Sequence, residues 1–168
     1  SIKVSENKPV IVYAPVNNPV IQIPDNFNGF IENAGYASIE AEHYSVAVAD
    51  SPIYWQIIPG LGRTLSGITP FPVTTTRQQP ATNSPRLEYN IYFTDTGKTK
   101  VNIYFSPTLN FTGGSGFLFG ISMDDEKPQI VNFHENENIS DWKYPQWWNQ
   151  SVSDNIKIKT TEHYISAP

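Results

Sequence analysis

The sequence predicts an all-β protein, an antiparallel β-sandwich of jelly-roll type. Three observations carry this expectation. Apolar residues recur at every second position through much of the chain, which is the period of a half-buried strand. Turn residues interrupt these runs often: 14 prolines and 10 glycines in 168 residues disfavour long helices. Hydrophobic residues make up 39% and charged residues 16%, enough apolar material for one packed domain.

Residues 1–24 read as a separate piece. Within them "KPVIVYAPV" has the character of a strand and "NNPVIQIPD" that of a proline-rich linker. A lone strand cannot bury its own face, so this piece is expected to come from a preceding domain or to add an edge strand. The sandwich is expected over residues 25–168, where "SIEAEHY" and "YWQIIP" supply strands. In "RLEYNIYFTD", Leu87, Tyr89, Ile91 and Phe93 fall on one face and Glu88, Asn90, Tyr92 and Thr94 on the other. "KVNIYFSP" repeats the rhythm with Val101, Ile103 and Phe105 inward, and the intervening "TGK" reads as a hairpin turn. "GFLFGISM" and "KPQIVNF" form a second hairpin across "DDE". The stretch 138–155 carries "ISDWKYPQWWNQSVSDN", a short helix or a structured loop. "KIKTTEHYISAP" reads as a strand running into a turn with no partner after it, so the chain is expected to lack something at both ends.

Several function classes are disfavoured by composition. A net charge of −5 argues against nucleic acid, whose phosphates need a basic face. No run of about 18 apolar residues is present to span a membrane as a helix. The absence of cysteine excludes disulfides, thiolate zinc sites and a cysteine nucleophile. "SIKVSENKPV" has no apolar signal-peptide core, so either a signal has been removed or the chain is an internal piece of a longer protein.

The motifs "GYASIEAEHY", "WQIIPGLGRTLSGITPFPVT", "PRLEYNIYF", "SPTLNF", "ISMDDEKPQIVN" and "WNQSVSDNIK" occur in that order. In this they resemble the C-terminal region of glycoside hydrolase family 115, the xylan α-1,2-glucuronidases, over about residues 9–166. The string "PGLGRTLSGITPFP" is long and peculiar, which makes the resemblance specific. The resemblance implies a non-catalytic accessory sandwich, with catalysis in an upstream (β/α)8 barrel of the same protein. It also implies a periplasmic or extracellular bacterial setting, xylan or glucuronoxylan as a polymer partner, and a homodimer in the full-length enzyme. The family pattern continues past Pro168 with two further strands. The sandwich is similar in turn to carbohydrate-binding modules of families 6 and 35, of galactose-binding-like fold, whose "EAE" strand holds a structural calcium.

Four candidate sites follow. Glu40 and Glu42, at i and i+2 on the expected strand, would share a face with Cα atoms roughly 6.5–7 Å apart. Glycosidase carboxylates stand about 5–5.5 Å or about 6.5–9.5 Å apart, so spacing alone does not exclude catalysis, but no barrel or sugar cleft surrounds the pair. The alternatives are an exposed polar face, or a calcium site completed by Asp154, Asp124 or Asp125, since calcium takes six to eight oxygens. Trp142, Tyr144, Trp147 and Trp148, with Asn149, Gln150 and Asn155 nearby, offer rings for sugar C–H faces and flanking amides. Equally, such rings close a sandwich or meet another domain. Arg63 in "PGLGRT" either packs on a carboxylate or clamps a uronate bidentately, and the loop lacks the ending of a phosphate-binding loop. His43, His134 and His163 are too dispersed for zinc, and "GGSG" is not a nucleophile elbow. The functional expectation is a structural or interface domain of a xylan-degrading α-glucuronidase, with a hemicellulose-binding module as the alternative and catalysis by this piece alone a distant third.

Overall fold

The computed structural model describes residues 12–16, 22–80, 84–111, 114, 116–135 and 144–166. Among the described residues ten strands and one helix follow in order: β1 (Phe30–Ile31), β2 (Val46–Val48), β3 (Tyr54–Pro59), β4 (Ser66–Phe71), β5 (Arg86–Glu88), β6 (Ile91–Tyr92), β7 (Gly97–Phe105), β8 (Leu118–Ile121), β9 (Gln129–Asn132), α1 (Gln146–Asp154) and β10 (Lys157–Ile165). The protein is an all-β sandwich. Its strands associate as pairs: β3 with β4, β8 with β9, β2 with β5 and β7 with β10, all antiparallel. The exception is β1, which pairs with β6 in parallel, Phe30 opposite Ile91.

Several expectations hold. "YWQIIP" is β3, and the hairpin across "DDE" is β8–β9, with Phe119 opposite Val131. The tryptophan-bearing stretch does contain a helix. Along β7, Val101, Ile103 and Phe105 are half-buried while Asn102 and Tyr104 are exposed, as the alternation required.

Two local expectations are corrected. First, "TGK" does not close a hairpin. The backbone N–H and the hydroxyl of Thr94 both donate to the Glu32 carboxylate, which holds the end of β6 against β1. Asp95 then accepts from the Thr96 N–H at 2.8 Å, and β7 leaves to satisfy its nine residues against β10. Second, Glu40 and Glu42 do not lie on a strand. The His43 N–H bonds to the Glu40 carbonyl at 2.9 Å, a turn that ends the common face, and extended pairing starts only at Val46. Val12–Val16, the described part of the N-terminal "KPVIVYAPV", are exposed and unpaired by any strand among the described residues.

The inner face of the β7–β10 ribbon packs on the β8–β9 hairpin. Ring contacts join Phe105 to Phe119 at 4.8 Å and to Phe133 at 5.3 Å. Farther along β10 the inward residues Thr161 and His163 are polar, and they are satisfied. His163, with a fully buried side chain, contacts Thr161 Oγ1 at 2.8 Å and Glu126 Oε2 at 3.1 Å. The neighbouring Gln129 amide donates to the Glu162 carbonyl at 2.6 Å, tying the β8–β9 hairpin to β10. His134 holds the other end: its Nδ1 accepts from the Phe117 N–H at 3.2 Å and its Nε2–H donates to the Thr108 carbonyl at 2.9 Å. Gly116 sits beneath it at φ 91°, where a Cβ would stand 2.5 Å from Asn132 Oδ1, so only glycine fits. Burial is concentrated here: Phe133 is 4% exposed, Ile156 9% and Ile165 7%.

Candidate functional site

Helix α1 begins after Pro145, whose fixed φ suits a helix start, and ends at Asn155 in the left-handed conformation at φ 57°. The Ile156 N–H returns to the Ser151 carbonyl at 3.0 Å and the Asn155 N–H to Val152 at 3.3 Å, which satisfies two of the carbonyls in the last turn. Asparagine tolerates this conformation better than other non-glycine residues, and here its side chain has a second use. Its Nδ2 donates to the Gly62 carbonyl at 2.8 Å, pinning the helix to the loop between β3 and β4.

This placement gives the aromatic residues unlike surroundings. Trp147 is half-buried, edge-on to Phe133 at 6.0 Å and to Trp148 at 5.5 Å. The Lys157 ammonium lies 3.5 Å from the Trp147 ring centre and 4.3 Å from that of Phe133, and it donates to the Phe133 carbonyl at 2.7 Å. One ring is thus held by a second ring and a cation, an arrangement that anchors a helix. Trp148 is half-buried as well. Its ring lies within 13° of parallel to that of Tyr144, at 6.0 Å, and Tyr144 is 66% exposed. Trp147 and Trp148 cross at 68°, so they make no common flat platform. Asn149 is exposed beside them, and Trp142 lies outside the described residues.

The loop 60–65 turns through Gly60 and Gly62, both at positive φ, and presents Arg63 to solvent. Arg63 pairs with no carboxylate among the described residues. Next to it Thr64 donates its hydroxyl to Glu40 Oε2 at 2.7 Å. The turn that carries Glu40 is fixed from the other side by Tyr89, whose hydroxyl donates to the Ala41 carbonyl at 2.7 Å. Burial, helped by the neighbouring Tyr44, pushes the Tyr89 phenol up to about 12, so it remains a donor across the physiological range. Glu40, Thr64, Gly62 and Asn155 are therefore joined in one chain of contacts. Glu42 sits beside His43 at 3.8 Å, and Asp154 accepts from Gln150 at 2.8 Å. Among the described residues no three acidic or histidine side chains are gathered in one group, Glu40, Glu42 and Asp154 included. Asp124 and Asp125 are exposed on the β8–β9 loop.

Sequence reasoning missed two polar groups. Lys157 was hidden because a lysine on a strand reads as an outward residue, although its phase matches buried Thr161, His163 and Ile165. Glu32 was hidden because nothing in "FIENAG" signals burial of a carboxylate. Its oxygens accept from the Gly35 N–H at 2.6 Å, the Thr94 N–H at 3.0 Å and the Thr94 hydroxyl.

A comparison with curated proteins returned no match at significant similarity. Among family models, one described as the glycosyl hydrolase family 115 C-terminal domain matches residues 29–168. That span begins one residue before β1 and takes in every strand, α1 and the loop carrying Arg63. The chain therefore belongs to glycosyl hydrolase family 115, as that family's C-terminal, accessory domain.

Proposed function

We propose that this domain is a non-catalytic structural element of a xylan-degrading α-glucuronidase, built to hold domains or subunits of the enzyme together. The observation that carries this reading is the position of Trp147, half-buried and packed against Phe133, Trp148 and the Lys157 ammonium. Its partners are the catalytic domain of the same protein and, in the full-length enzyme, a second copy. A polymeric substrate is met outside the cytoplasm, which gives a periplasmic or extracellular setting. The purified chain is expected to release no glucuronate from glucuronoxylan oligosaccharides. Release by demonstrably folded chain, surviving repurification, contradicts the proposal.

A second reading, a hemicellulose-binding module, is favoured by the near-parallel Tyr144 and Trp148 rings with Asn149 beside them. Calorimetric titration with the same oligosaccharides, with and without calcium, separates the two. Saturable binding that Trp148→Ala abolishes supports the module. A calcium requirement in that titration supports ion binding at Glu40 and Glu42 after rearrangement, and Arg63→Ala tests whether a uronate carboxylate is held there.

A further inference from the structure

The loop between β3 and β4 holds exposed side chains on a fixed backbone. Its root is the end of the ribbon, where Pro59 faces Ser66. Within the loop the Gly60 N–H donates to the Leu65 carbonyl at 3.2 Å and the Leu61 N–H to the Ile58 carbonyl at 3.3 Å. Gly60 and Gly62 stand at φ 72° and 116°, a conformation that residues with a Cβ rarely adopt. From outside, the Asn155 side chain donates to the Gly62 carbonyl and the Glu40 carboxylate accepts from the Thr64 hydroxyl. Two segments distant in sequence therefore hold the loop in one shape.

The side chains on this backbone form a pattern. Leu61 is 40% exposed and Leu65 is 48% exposed. Arg63 stands between them, exposed, and makes no hydrogen bond, ion pair or ring contact with any described residue. A guanidinium offers a planar fork of N–H donors that matches a carboxylate. The carboxylate that touches this loop, Glu40, is engaged by Thr64 instead. An arginine flanked by apolar groups on a preordered backbone has the make-up of an interface anchor: the flanks exclude water, and little freedom is left to lose on contact. The string "PGLGRTLS" holds no aromatic ring to lie on the C–H face of a sugar, so its apolar groups suit a protein surface better than a saccharide. Size then separates two kinds of protein partner. A complex of free molecules needs about 800 Å² from each side. A tip made of Leu61, Arg63 and Leu65 falls well short of that. A partner on the same polypeptide needs less, because tethering raises its effective concentration to about the millimolar range. As a glycosyl hydrolase C-terminal domain, this chain has such a partner in the catalytic domain.

We propose that the 60–65 loop is the contact through which this domain docks on the catalytic domain of its own polypeptide, with Arg63 clamping an aspartate or glutamate there. The inference rests on the structural role proposed above and names its contact site.

Amide hydrogen exchange in the full-length enzyme tests it. The backbone N–H groups of Gly62, Arg63 and Thr64 have no acceptor among the described residues, so they exchange fast when the loop is undocked. In the full-length enzyme they are expected to exchange at least about tenfold more slowly than in the separate 168-residue chain. Arg63→Glu in the full-length enzyme is expected to abolish that protection. Arg63→Lys should retain part of it, because an ammonium does not reproduce the fork. Added salt should weaken the wild-type protection. The β7–β10 ribbon should stay equally protected in every variant, since Arg63 makes no contact within the domain, and this serves as the check on folding. The proposal is overturned by equal loop protection in Arg63→Glu, by protection that falls on dilution, which assigns the loop to a second copy, or by protection that needs added glucuronate. Fast exchange at residues 62–64 beside protection elsewhere on the domain overturns the Arg63 contact and leaves the structural role standing. No protection anywhere on the domain, relative to the separate chain, overturns both.

Discussion

Phe133→Ala is expected to lower the unfolding free energy by about 3–5 kcal/mol, the range for removing a buried aromatic ring. Phe133 is 4% exposed and touches groups from four directions. Phe105 reaches it from β7, His134 follows it in the chain, Trp147 approaches from α1 and the Lys157 ammonium lies over its face from β10. Alanine would remove the only ring common to these contacts and leave a cavity between the helix and the ribbon. A urea-unfolding series checks this, with Phe133→Leu as the control that retains most of the volume and is expected to cost less than half as much. An effect of Phe133→Ala below about 1 kcal/mol would mean that α1 and β10 do not meet there as described.

Glu32→Ala is expected to cost about 2–4 kcal/mol, because it strands three donors around a residue that is 8% exposed. The hydrogen bonds from the Thr94 side chain, then its backbone, then Gly35 hold the carboxyl below its ordinary value near 4.5 and outweigh the opposing effect of burial. The sign follows from linkage. A carboxyl with a depressed folded-state value stabilises the fold fully above its unfolded value, and loses that contribution as pH falls through the folded one. Wild type should therefore lose stability from about pH 4.5 downward, and Glu32→Gln should show a flatter profile over that window while being less stable at about pH 7. Parallel unfolding curves at several pH values decide it. Profiles of identical slope would remove Glu32 from the acid response.

Much of the fold was legible because strand faces are written as alternation. "YWQIIP" and the β7 run were placed from period two, and the β8–β9 hairpin from a short acidic turn. Alternation reports which face a side chain takes; it does not report which strand lies alongside. That is why the parallel β1–β6 pair and the β7–β10 ribbon were not foreseen, since both join segments about 60 residues apart. "SIEAEHY" has the composition of a strand, yet its backbone is satisfied by a local turn and by the Tyr89 hydroxyl. The aromatic cluster was legible as a cluster. The unlike fates of Trp147 and Trp148 were not, because they depend on a lysine brought from β10 only by tertiary packing.

The most direct test of the structural role is a paired measurement on Trp147→Ala: the thermal midpoint, and the affinity per folded molecule for xylan-derived oligosaccharides. The account predicts a midpoint lowered by several degrees, in line with a loss of about 2–4 kcal/mol, with affinity unchanged. An unchanged midpoint together with lost affinity would contradict it, and would make Trp147 part of a sugar-binding surface.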